Sequence, residues 1–312
     1  MNQTIKVAIP GAAGESGGLV LNGLLVSSSP QYEVTALVRP SSISKPAYEK
    51  MSSRGVKLIT IDLNQPGTQI SESLQGFEVV IVSVPPNVLE SQIPLARAAK
   101  LANVKRFVPS SFAMAIAPSG VSSVQTMKEK IYAELAAMEL PHTIIDVGWW
   151  WNGFIPELPS GRTDYAIDLP DFIKNLIPGD VNMSVGRFIA RILADPRTIN
   201  KRVMASETVM PFNEMFDTAE ALAGEDIKRK YLYLDAQISL DPENYMLLVG
   251  KFWLEYYLSS FIDGDNSPDG VLAMDYLLAA ELYPGVQTTT FEQFFTDVLE
   301  KKKRVPYSDR LV

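Results

Sequence analysis

The chain contains no cysteine in 312 residues, which excludes disulfides, thiolate nucleophiles and cysteine-ligated zinc or iron-sulfur centres. It has a single histidine, His142, so a multi-histidine metal centre cannot be built, and any histidine catalysis would fall to that residue. Apolar residues make up 46% of the chain, ample for a packed core, yet no uninterrupted run is long enough to span a bilayer. Positive charge is also short. With 28 basic against 36 acidic residues, a net charge of −8 and a pI near 4.9, nothing draws the chain to phosphate backbones or anionic lipid. Neither nucleic acid nor membrane is an expected partner. The start, Met1-Asn2-Gln3-Thr4, runs straight into a strand-like Ile5–Ile9 without the basic and apolar regions of a signal peptide, so the cytoplasm is the expected location.

What is present is a regular alternation. Short apolar strands are expected at Ile5–Ile9, Glu33–Val38, Val56–Ile61, Val79–Val84, Arg106–Pro109 and Thr143–Val147. Helix-period segments lie between them at Ser16–Val26, Ala47–Arg54, Leu89–Leu101 and Thr126–Met138. Alternating β and α at this spacing requires right-handed crossovers, and hence a doubly wound, Rossmann-type parallel sheet covered on both faces. After Trp151 the rhythm breaks into a Pro- and Gly-rich stretch, then helices at Gly186–Leu193, Asn213–Ala223 and Tyr245–Phe261. This predicts a dinucleotide-binding half at 1–154 and a smaller, mainly helical substrate region at 155–312, part of 180–206 packing back on the first half. The basic run Lys301–Arg304 suits the negative pole at a helix end better than a binding patch.

The sharpest motif is Gly11-Ala12-Ala13-Gly14-Glu15-Ser16-Gly17, placed after the first strand and at the mouth of the first helix. Gly11 permits a tight turn, Gly14 lets the backbone approach a pyrophosphate, and Gly17 lets helix pack closely on strand. Backbone amides and the helix dipole then hold the anion. Cofactor choice is read at the end of the second strand, which stops at Arg39, with Ser41 and Lys45 following and no carboxylate in place. A guanidinium can donate two hydrogen bonds to a 2′-phosphate, so NADP(H) is expected over NAD(H). The carboxyl ends of later strands, Ser83-Val84-Pro85 and Ser110, are expected to complete the cofactor cleft.

The usual Tyr-x-x-x-Lys pair of short-chain dehydrogenases is absent, since no tyrosine has lysine four positions on. What stands instead is Arg106-Phe107-Val108-Pro109-Ser110-Ser111-Phe112, a helix carrying Met127-Lys128-Glu129-Lys130-Ile131, and Leu140-Pro141-His142-Thr143-Ile144. A further segment reads Asp195-Pro196-Arg197-Thr198-Ile199-Asn200-Lys201, followed by Asn213-Glu214. With the glycine loop and Leu37-Val38-Arg39, these residues resemble the isoflavone reductase-like and NmrA-like family of atypical short-chain reductases over roughly residues 5 to 220. The resemblance implies an NADP(H)-dependent reductase in which Lys128 lies beside the nicotinamide as general acid or base. A lysine suits that place, because burial and a neighbouring nicotinamide cation both disfavour its charged form. Lys130 lies on a different face. The chain departs from the family at Ser111 and Ala113, where the family has Ser-Glu-Phe-Gly, and at Gln125, where an aromatic residue is usual.

Gly148-Trp149-Trp150-Trp151-Asn152-Gly153-Phe154 follows the sixth strand at the ligand end of such a sheet, so Phe112, Trp149, Trp150 and Phe154 are candidates to contact a small apolar or aromatic substrate. Adjacent tryptophans point different ways, so at least one packs between the two halves. His142 sits at the opposite end of its strand and is expected to be structural. Asp164 with Asp168, and Asp263 with Asp265, are read as solvated, and no metal site is expected. Two classes fit: a reductase of an aromatic or polyketide-like secondary metabolite, or an NmrA-like regulator that senses the dinucleotide without catalysis. The lysine and the aromatic loop favour the enzyme. A homodimer is compatible with the sequence.

Overall fold

The structure is a computed structural model and describes residues 4–63, 65–118, 122–151, 155–156, 158–163, 180–183, 188–229, 255–256 and 258–302. The amino-terminal half alternates β1 (Thr4–Pro10), α1 (Glu15–Leu25), β2 (Gln31–Val38), α2 (Pro46–Ser52), β3 (Lys57–Thr60), α3 (Gly67–Ser73) and β4 (Val79–Ile81). It continues with α4 (Gln92–Leu101), β5 (Arg106–Val108), α5 (Ser123–Ala137) and β6 (Thr143–Asp146). Strands β1 to β5 form a parallel sheet in the order β3-β2-β1-β4-β5. The order reverses between β1 and β4, which is where a doubly wound sheet opens its ligand crevice.

Side-chain alternation explains why the sheet is covered twice. Val7, Ile9, Val79, Ile81, Val108 and Ile145 enter one core with Val20, Leu21 and Leu24 of α1. Their neighbours Ala8, Val80, Phe107 and Ile144 enter the other, with Leu95 of α4 and Ile131 and Leu135 of α5. Both faces are therefore apolar and each needs its own helical layer.

A parallel bridge from Phe107 to His142 joins this sheet to β6. There β8 (Lys201–Met204) pairs with β6, and β10 (Tyr276–Leu278) pairs with β8, all parallel. The sheet thus takes two strands from the carboxyl-terminal half that the alternation pattern did not reveal. Helix α6 (Ile189–Ala194) also returns to the first half, with Ile189, Ile192 and Leu193 in the α1 core. Beyond the sheet, β7 (Asp180–Met183) and β9 (Thr208–Pro211) form an antiparallel ribbon. Three further helices are α7 (Phe212–Ala223), α8 (Pro268–Ala273) and α9 (Ala279–Leu282), and α10 (Phe291–Leu299) closes the described chain. Phe291, Phe294 and Phe295 of α10 share a core with Met215 and Phe216 of α7. Of the apolar helix expected over Tyr245–Phe261, only 255–256 and 258–261 lie among the described residues, and Leu258–Ile262 forms a π-helical turn.

Candidate active site

The glycine turn lies at the switch point. Gly11 has φ +85°, and a Cβ there would overlap the carbonyl oxygen of Ser83, in the loop after β4. That loop is tied back by Ser83 N donating to Pro10 O at 3.0 Å. Gly17, in the first turn of α1, backs onto the same turn, and a Cβ there would overlap the Gly11 carbonyl. Gly14 is different. Its φ of −77° suits any residue, and an added Cβ would meet only Gly11 O, at 3.3 Å. Two glycines therefore let the turn close on itself, while the third keeps a side chain off its outer face, as backbone approach to a diphosphate requires. Ala12 is buried, Ala13 is exposed, and Glu15 and Ser16 at the helix mouth are half-buried.

Register pairs Pro10 with Leu37, so the glycine turn and Arg39 emerge side by side from one sheet edge. Arg39, Ser41 and Lys45 are exposed there, around a single 3-10 turn at Pro40–Ser42. Ser83 and Val84 are half-buried and Pro85 is exposed. The Ser110 hydroxyl is engaged by backbone, donating to Val84 O at 2.9 Å and accepting from Val84 N at 3.0 Å, while Ser110 N donates to Gln92 Oε1 at 2.9 Å. It welds the β4 and β5 loops together.

Lys128 is 3% exposed, whereas Lys130 is exposed. Its Nζ donates to Ser111 Oγ at 3.3 Å. Ser111 also accepts from the Tyr132 hydroxyl at 3.1 Å and donates to Asp146 Oδ1, at the end of β6. The other Asp146 oxygen accepts the Tyr276 hydroxyl of β10 at 2.6 Å. Against this cluster, Arg202 of β8 pairs with Glu129 at 2.7 and 2.9 Å and lies over the rings of Tyr132 and Tyr276, 5.3 and 5.9 Å from their centroids. Gln125 donates to Glu129 Oε1 at 2.6 Å. Burial pulls the Lys128 ammonium below its ordinary range, opposed by the carboxylates of Asp146 and Glu129 and assisted by Arg202. Burial first, then Asp146, pushes the Tyr132 and Tyr276 phenols up, so both remain donors.

The sequence singles out Lys128, with Ser111 and Gln125 as departures from the family, but not Tyr132, Asp146, Arg202 or Tyr276. Lys128 and Tyr132 are a lysine-tyrosine pair one helical turn apart, in the reverse of the order scanned for. Asp146 ends β6 after Ile144 and Ile145, a carboxylate at a buried strand position that marks a polar residue with work to do. Tyr276 and Arg202 carry no local signal.

The three tryptophans diverge. Trp151 is 3% exposed and packs on Phe291 and Phe294, at 6.0 and 5.1 Å between centroids. Trp149 is also buried, and so is Phe112, which has φ +39°. Trp150 is only half-buried, and its Nε1 donates to Phe112 O at 3.2 Å. Phe154, Asp164 and Asp168 lie outside the described residues. His142 sits at the far end of β6 with its ring near Leu140 O and its amide on Asn200. Asp265 was expected to be solvated, but its carboxylate accepts Ala117 N at 2.9 Å and Ser259 Oγ at 2.6 Å, because it anchors the loop after β5. Among the described residues no group of three or more His, Asp or Glu is placed to hold a metal ion, and no helix is long and apolar enough to cross a membrane.

Fold and glycine turn together define a Rossmann-type protein of the doubly wound class. The chain belongs to the NmrA-like family, whose model matches residues 3–295. It is 36% identical over 318 residues to an asnovolin J 5′,6′-dehydrogenase of Aspergillus novofumigatus, covering 96% of this chain and 97% of that protein. A eugenol synthase of Petunia hybrida is 27% identical, over 95% and 99% of the two chains. The structure of a leucoanthocyanidin reductase from Vitis vinifera with NADPH shares the fold, with a TM-score of 0.76 at 21% identity over 95% of this chain and 99% of that one.

Proposed function

We propose that the protein is an NADP(H)-dependent oxidoreductase of a small aromatic or polyketide-like molecule, with Lys128 carrying the proton. The observation that carries this reading is the buried Lys128 on α5, engaged by a hydroxyl and not directly by a carboxylate. Its helix follows β5 of the sheet whose carboxyl edge carries the glycine turn. The absence of a side chain at Gly14 and the exposed Arg39 fit a dinucleotide diphosphate and a 2′-phosphate respectively. The relatives support the same class, one named a dehydrogenase and one fold neighbour binding NADPH.

When bound, the nicotinamide supplies or accepts a hydride. In the reducing direction Lys128 Nζ gives a proton to the substrate and the neutral amine regains one from water; in dehydrogenation the neutral amine accepts it. A lowered Lys128 pKa serves both directions. Among the described candidates, Trp150 is the aromatic side chain that offers surface to substrate, since Phe112 and Trp149 are buried. Residues 1–154 constitute the cofactor half, and the part of 155–312 outside β8, β10 and α6 forms the substrate side. The reading includes a cytoplasmic enzyme without a nucleic-acid partner.

The test is NADPH oxidation with a panel of aromatic ketones, enones and lactones, alongside titrations with NADPH and NADH. Lys128→Ala should abolish turnover while retaining NADPH affinity, and Arg39→Ala should remove the preference for NADPH. Equal turnover in Lys128→Ala removes that lysine from the mechanism. NADPH binding without any turnover favours the dinucleotide-sensing class.

A further inference from the structure

Ser111 joins α5 to β6 through a hydroxyl that has one proton and two acceptor positions. Three groups meet it: Lys128 Nζ, the Tyr132 phenol and Asp146 Oδ1. An ionised carboxylate only accepts and an ammonium only donates, so one assignment satisfies all three. Ser111 gives its proton to Asp146 and receives from Lys128 and Tyr132. Tyr276 donates to the second Asp146 oxygen, and Lys128 reaches the carboxylate through Ser111 Oγ. If Lys128 lost its proton, its lone pair would compete with Asp146 for the single Ser111 proton.

We propose that Asp146 is a positioning residue that, through Ser111, holds Lys128 in its protonated, donating form. This inference rests on the reading of Lys128 as the proton carrier only for its catalytic consequence; the effect on the lysine itself stands apart. Asp146 is 3% exposed, so its charge acts with little screening by solvent. Among the described residues, the other charged or titratable groups facing Lys128 or Asp146 are Glu129 and Tyr132 on the lysine's own helix, Arg202 on β8, Tyr276 on β10 and Tyr256. Arg202 and Glu129 are paired with each other, and the three phenols, pushed up first by burial, keep their protons. Asp146 is thus the carboxylate whose charge is left to offset the lysine. Burial drives Lys128 towards the neutral amine and Asp146 opposes it, so the carboxylate favours the protonated, donating form.

The experiment is a pH titration of the Lys128 Nζ resonance in 15N-lysine-labelled protein without added ligand, assigned by its absence in Lys128→Met. Asp146→Asn, and Ser111→Ala as a second variant that leaves the carboxylate, are compared with wild type, with melting curves to establish folding. The midpoint should fall by about one pH unit or more in Asp146→Asn, and by less in Ser111→Ala. In steady-state turnover of the best substrate from the panel, the alkaline limb should move to lower pH in parallel while NADPH affinity holds. An unchanged Lys128 midpoint in folded Asp146→Asn overturns the inference; if that variant does not fold, an unchanged midpoint in Ser111→Ala overturns it. A shifted midpoint with full turnover in Lys128→Ala leaves the positioning role intact and sinks the catalytic reading instead.

Discussion

Glu255 accepts both the backbone amide and the hydroxyl of Ser123, each at 2.9 Å, at the first residue of the helix that carries Lys128. A carboxylate from the carboxyl-terminal half thus caps α5, where unpaired amides and the positive pole of the helix favour negative charge. Ser122 adds a second cap by accepting Gln125 N at 3.3 Å. Removing the charge with Glu255→Gln should cost about 1–2 kcal/mol, read as a lower urea midpoint. Turnover should fall further than stability alone explains, because the start of α5 sets the position of Lys128.

The three glycines of the turn should separate into two classes. Gly11→Ala and Gly17→Ala force a Cβ into backbone, at Gly11 in a left-handed conformation as well. Each should lower the melting temperature by several degrees and weaken NADPH binding. Gly14→Ala should lower the melting temperature less than either, since its single Cβ contact, the Gly11 carbonyl oxygen at 3.3 Å, asks for a shift of only a few tenths of an ångström, yet weaken NADPH by about tenfold or more, roughly 1.4 kcal/mol. Unaltered NADPH affinity in Gly14→Ala would mean that the diphosphate does not approach that face.

Arg106 fastens the carboxyl-terminal segment to the sheet. It is 4% exposed and donates to Ile192 O, Thr198 Oγ1 and Asp195 O at 2.7 Å each, and to Thr143 Oγ1 at 3.3 Å. This gives the Asp195–Lys201 motif a physical role: it is the turn that presents the Asp195 carbonyl and the Thr198 hydroxyl to Arg106. Arg106→Met should cost about 3 kcal/mol, because it removes the charge-assisted hydrogen bonds of a buried guanidinium. Arg106→Lys should restore little, because one ammonium cannot span the positions reached by the guanidinium fork. Urea unfolding of the two variants checks both statements.

Asp195 supplies a pH dependence of known sign. The hydrogen bonds from Arg197 are the foremost cause holding its carboxyl down to about 2, from 3.8, and Tyr283 donates to it at 2.9 Å. A pKa lower in the folded than the unfolded chain stabilises the fold fully above 3.8, and the contribution is lost as pH falls towards about 2. Asp195→Asn should therefore be less stable than wild type at pH 6, and the gap should close between pH 4 and pH 2. A gap that stays constant across urea midpoints measured over that range would exclude the ionised carboxylate as its source.

Much of the fold was legible because its signals are local. Val7, Ala8 and Ile9 enter opposite cores in turn, and that alternation is visible in any window of β1. The glycine turn was legible for the same reason, since each glycine acts on neighbours within a few residues or on the adjoining loop. Strand β10 escaped because three residues, Tyr276–Leu278, are too few to show a period. Strand β8 (Lys201–Met204) also escaped, since the family segment Asp195–Lys201 ends at its first residue. In the site, Lys128 was reached by resemblance, but its environment spans Ser111, Asp146 and Tyr276, and the last two are separated by 130 positions.

Residue order by itself determined the doubly wound sheet, the glycine turn and a cation at the end of β2, because hydrophobic periodicity and backbone freedom act over a few residues. Only tertiary structure decided that Lys128 would be buried, that Ser111 would turn its proton to Asp146, and that Trp151 would pack while Trp150 kept an open face. Those outcomes depend on burial and on the direction of hydrogen bonds, which exist only once β6, β10 and α5 have been brought together.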